Sequence, residues 1–87
     1  MMNLESKKPE IDYPTRWDYK IIGSDVDEMI KAVESIVINL VYDLSASNIS
    51  KKANYFSLNL VVEVPSEVVR DLIFQKLNEH PAIKFVI

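Results

Sequence analysis

The chain has 87 residues, one glycine, no cysteine and a formal net charge of −3 at neutral pH. That length bounds it at one domain, and the missing cysteines exclude disulfides, thiolate metal sites and cysteine nucleophiles. Hydrophobic residues at 48% and charged residues at 26% mark a globular composition, while the acidic balance leaves no basic face for phosphate backbones.

The first segment, residues 1–12, is polar and aperiodic, with Glu5, Lys7, Lys8, Pro9 and Glu10. It reads as a flexible tail, without the apolar stretch of a signal peptide. Residues 13–87 form the expected domain. Pro14 restricts Tyr13 to an extended backbone. Trp17, Tyr19 and Ile21 then alternate with Arg16, Asp18, Lys20 and Ile22, which predicts a half-buried strand that Gly23 ends at a turn.

Ser24 reads as a helix N-cap, with Asp25, Asp27 and Glu28 complementing the dipole in the first turn. Val26, Met29, Ile30, Val33, Ile36, Val37 and Leu40 recur at helical spacing over about four turns. A second strand is expected over residues 41–50, followed by a polar turn from Ser50 to Asn54. The alternation of Phe56, Leu58, Leu60, Val62 and Val64 with Tyr55, Ser57, Asn59, Val61 and Glu63 predicts a third strand, its first set inward. Pro65 stops it. Ser66 caps a second helix that buries Val69, Leu72, Ile73 and Leu77 and ends at Asn78, His80 and Pro81. Ile83, Phe85 and Ile87 then read as the inward face of a last strand, with Lys84 and Val86 outward.

The order strand, helix, strand, strand, helix, strand predicts an α+β ferredoxin-like sandwich: one four-stranded antiparallel sheet with two helices on one face. The other sheet face is then left open.

Catalytic signals are sparse. A lone histidine, His80, sits at a helix end beside a proline, where a solvated position explains it, and one histidine without cysteine builds no zinc site. One glycine excludes glycine-rich phosphate loops. Asp25, Asp27 and Glu28 suggest magnesium, but capping accounts for them more simply. No nucleophile stands with an activating base, so a non-enzyme without cofactor is expected.

The open sheet face is the candidate site. With the two long strands as central neighbours, Lys20 and Ile22 lie near Tyr55, Ser57, Asn59 and Val61, with Arg16 and Lys84 at the margin. The exposed apolar members Ile22, Val61 and Val86 point to a partner, against the plainer reading of an ordinary solvated face. RNA-recognition domains share this topology, but Tyr55 is the single outward aromatic here and the chain is acidic, so nucleic acid is not expected.

The runs Tyr13-Pro14-Thr15-Arg16-Trp17, Tyr19-Lys20-Ile21-Ile22-Gly23 and Ser50-Lys51-Lys52-Ala53-Asn54-Tyr55-Phe56-Ser57 resemble the YbeD-like family of small bacterial proteins of unknown function. The resemblance extends from Tyr13 to Ile87. It implies a ferredoxin-like fold similar to ACT-type regulatory modules, which bind amino acids beside metabolic enzymes. The matching polar positions are Lys20, Ser50, Lys52, Asn54, Tyr55 and Ser57, and Ala53 departs from a glycine common in the family. Acylphosphatases share the topology, yet Gly23-Ser24-Asp25 holds no arginine where they need one. The expectation is a cytoplasmic regulatory or adaptor module that contacts a protein partner or a second copy of itself. The alternative is an ACT-like sensor of a small carboxylate or amino acid. No membrane association is expected.

Overall fold

Alternation in Thr15–Gly23 (β1) and Phe56–Val64 (β3) sets the centre of the sheet, because each strand carries one apolar face. The computed structural model describes residues 11–49 and 54–87. The tail expected over 1–12 lies outside them but for Ile11 and Asp12, both exposed. Strands β1 and β3 pair antiparallel without interruption, from Thr15 opposite Val64 to Gly23 opposite Phe56. Tyr42–Ile49 (β2) pairs with the far side of β3, with a bulge between Ala46 and Asn48. Phe85–Val86 (β4) pairs with Ile22 and Ile21 of β1. The sheet order is β2-β3-β1-β4, as the ferredoxin-like reading requires.

Val26–Ile36 (α1) and Glu67–Glu79 (α2) close one face of this sheet. Met29, Ala32 and Val33 of α1 and Ile73 and Leu77 of α2 join Tyr19, Ile21, Leu58, Leu60, Val62 and Val64 in one buried cluster. Each buried Leu, Ile, Met or Val contributes on the order of 1.5–3 kcal/mol, and among the described residues no polar residue is buried with them.

Five local readings are corrected. The N-cap of α1 is Asp25, whose carboxylate accepts from the Glu28 N–H, and Ser24 lies outside the helix. The helix stops at Ile36; Asn39 takes a left-handed backbone (φ 72°), so Val37 and Leu40 reach the core from a turn. Leu72 is exposed, because the buried stripe of α2 runs through Ile73 and Leu77 instead.

The fourth correction is the phase of β4. Ile83 is buried from the preceding turn, but Phe85 pairs with Ile22 and therefore faces away from the helices, while half-buried Val86 pairs with core residue Ile21. Ladder register decides the phase: the Lys84 N–H donates to the Ile22 carbonyl, and Ile87 bonds Lys20 in both directions. Gly23 also serves differently from expected. It ends β1 within the sheet at a φ outside the left-handed region, and a Cβ there would stand 2.6 Å from the Ala82 carbonyl oxygen and 2.8 Å from the Met29 sulfur. Close approach, not turn geometry, requires glycine there.

Candidate functional site

Because successive strand side chains point to opposite faces, Arg16, Asp18, Lys20 and Ile22 of β1 line the face away from the helices. The pairing arranges that face in rows across the strands. Ser45 lies opposite Asn59, Asn59 opposite Lys20, and Lys20 beside Ile87. The next row holds Ser57, Ile22 and Phe85. In the other direction come Asp43, Val61 and Asp18, then Glu63 opposite Arg16.

The rows divide the face by polarity. At one end Asp18, Asp43 and Glu63 surround Arg16, whose Nη2 donates to Asp43 Oδ2 at 3.1 Å across the intervening strand. At the other end Ile22, Phe85 and Ile87 gather beside Lys20, with Phe85 57% and Ile87 73% exposed. Ser57 shares this apolar end. Its hydroxyl oxygen is shielded from solvent and has no hydrogen-bond partner among the described residues.

The residues predicted from sequence are partly brought together here. Lys20, Ile22, Ser57, Asn59 and Val61 share the open face in adjoining register. Tyr55 and Asn54 are exposed and precede β3, and Tyr55 is not itself in the strand. Ser50 and Lys52 lie outside the described residues. Val86 leaves the face, turned inward by the β4 register, and Phe85 and Ile87 take its place. Alternation gives the last strand a period but no phase, so sequence could not find these two.

A second locus lies where β1 meets α2. Arg70 reaches back from α2 with its guanidinium carbon 4.5 Å from the Trp17 ring centroid. Its Nη1 donates to the Tyr13 hydroxyl at 3.1 Å, and its Nε to Asp71 Oδ1 at 3.0 Å. The Tyr19 hydroxyl donates to the Arg70 carbonyl at 2.7 Å. Burial pushes the Tyr19 phenol up to about 12, with the Arg70 charge opposing it, and the hydrogen bond to Asp71 raises Arg70 itself. Beside this anchor lies a cleft of about 360 Å³ lined by Trp17, Asp18, Tyr19, Arg70, Asp71, Phe74 and Ile87. Sequence gives no sign of Arg70, since a cation on the flank of a helix reads as solvated.

His80 does structural work: its Nδ1 accepts from the Ala82 N–H at 3.0 Å, closing the turn after α2. No cluster of three or more histidine or carboxylate side chains suited to a metal ion occurs among the described residues.

The sequence pattern of the "Protein of unknown function (DUF493)" family matches residues 8–87. The chain belongs to that family. An uncharacterized protein of Helicobacter pylori is 36% identical over 78 residues, spanning 90% of this chain and 91% of its own. The uncharacterized protein Cj0253 of Campylobacter jejuni is 39% identical over 80 residues, spanning 90% and 92%. A UPF0250 protein of Leptothrix cholodnii, 24% identical, spans 100% of both chains and bears out the YbeD-like resemblance. The solution structure of protein HP0495 from H. pylori superposes with a TM-score of 0.81 at 32% identity, covering 100% of this chain and 96% of that one. The HP0495 likeness supports the ferredoxin-like fold, and the family description names no function. No helix among the described residues is long and apolar enough to cross a membrane.

Proposed function

We propose that this DUF493 protein is a non-catalytic regulatory or adaptor module that acts through protein contacts on its open sheet face. One observation carries the reading: Phe85 and Ile87 stand exposed beside Ile22 in adjoining rows of that face, next to Lys20. Exposed apolar groups gathered this way lose water-contacting surface only when a partner covers them. The acidic end around Arg16 supplies orientation, because charge at a rim selects partners more than it adds affinity.

Phe85→Asp and Lys20→Glu test the reading. Both side chains are exposed, so each variant keeps its melting temperature, and each should lose a partner that the unaltered protein captures. Undiminished capture by both variants refutes the role of the face.

A further inference from the structure

The turn between α2 and β4 is closed by a side chain as well as by backbone. His80 caps α2 and Pro81 follows it, and the Ile83 N–H donates to the His80 carbonyl at 3.0 Å. Inside that turn the Ala82 N–H donates to His80 Nδ1 at 3.0 Å. A backbone N–H can only donate, so Nδ1 offers a lone pair and the imidazole is neutral, with its hydrogen on Nε2. Asparagine, aspartate and serine ordinarily fill this place in a turn, and none of them gains a positive charge.

The turn is packed where a small movement is felt. The Ala82 carbonyl oxygen lies so close to Gly23 that a Cβ there would stand 2.6 Å from it. Ile83 then enters the core, and the Lys84 N–H donates to the Ile22 carbonyl at 2.7 Å, which seats β4 and sets Phe85 opposite Ile22. On its other side His80 borders a cleft of about 310 Å³ shared with Ser24, Asp25 and Glu28. The charged groups lining that cleft with the ring are therefore the two carboxylates at the start of α1. Lys76 and Glu79 before it and Lys84 after it are the charged residues nearest in the chain.

We propose that His80 is an acid-released latch on β4. Imidazole is the side chain that ordinarily gains its proton between pH 8 and pH 5. A proton on Nδ1 sets donor against donor at Ala82, so that bond is lost and the charged ring turns to the carboxylates of Asp25 and Glu28. The half-buried Ala82 N–H is left without its acceptor, the turn loosens, and the Lys84–Ile22 bond weakens with it. The latch is closed while the ring is neutral and opens as the pH falls. Its consequence for function rests on the reading of the open face as a protein-binding surface: acid frees Phe85 from its row beside Ile22 and so weakens capture.

The latch is tested in the free chain by NMR of amides and imidazole nitrogens between pH 7.5 and pH 5. At pH 7.5 the ring should carry its hydrogen on Nε2. On acidification the protection of the Ala82 and Lys84 amides, corrected for intrinsic exchange, should fall roughly fivefold. His80→Asn supplies a neutral oxygen acceptor at the same place and should hold that protection constant over the range. A hydrogen on Nδ1 at pH 7.5, unchanged protection of both amides at pH 5, or the same fall in His80→Asn overturns the proposal. No partner enters this measurement, so the Phe85 and Lys20 variants judge the open face separately.

Discussion

The Tyr19 hydroxyl donates to the Arg70 backbone carbonyl at 2.7 Å, tying the middle of β1 to the first turn of α2. This bond satisfies a buried phenol, and its helix partner then places the Arg70 guanidinium over Trp17. Packing of the helix on the sheet and the shape of the cleft share one anchor.

Tyr19→Phe should therefore cost roughly 0.5–1.5 kcal/mol of unfolding free energy near neutral pH, by removing this one hydrogen bond from a carbonyl that keeps its helical donor. The pH dependence has a definite sign. Folding raises the Tyr19 phenol from 10.0 to about 12, so its contribution is complete below pH 10 and disappears as pH rises to 12. The loss is on the order of 2 kcal/mol. Urea denaturation across that window should show the unaltered protein losing more stability than Tyr19→Phe; parallel losses would contradict the assignment.

Gly23→Ala should destabilise by about 1–3 kcal/mol, since the added methyl meets a backbone oxygen and not a yielding side-chain end. Thermal unfolding checks it. An unchanged melting temperature would show that the turn at Ala82 gives way freely.

Ile83→Ala and Phe85→Ala separate the two phases of the last strand. Ile83 is buried and should cost roughly 2–5 kcal/mol, whereas exposed Phe85 should change stability by no more than about 0.5 kcal/mol. Equal and large costs would restore the inward position for Phe85.

Arg70→Lys keeps the charge but loses the planar fork that spans Tyr13, Asp71 and the Trp17 ring. Trp17 is the one tryptophan, so its fluorescence reports the change. A red shift of emission with the fold intact is expected, and an unaltered spectrum would deny the stacking any role.

These contrasts also mark what was legible in the sequence. The long strands were, because Trp17 to Ile21 and Phe56 to Val64 alternate strictly, and their pairing placed Lys20 beside Asn59 and Ile22 beside Ser57. Helix α1 was legible in type but not in length, since Val37 and Leu40 keep helical spacing while the chain turns at Asn39. The last strand was not: Ile83 holds a core position from a turn, and the phase then reverses, so three apolar residues at even spacing face two different ways. The cleft depends on Arg70 and Phe74, which a helical pattern alone assigns to solvent.

The central claim is that the open face works by binding a protein. Its most direct test is an amide-resolved NMR titration of the labelled chain against a bacterial lysate split into small-molecule and macromolecular fractions. Selective broadening at Lys20, Ile22, Asn59 and Phe85 with the macromolecular fraction alone, abolished by Phe85→Asp, is the predicted result. Shifts at Lys20, Ser57 and Tyr55 with the small-molecule fraction alone would contradict it and establish a sensor of a small carboxylate or amino acid instead.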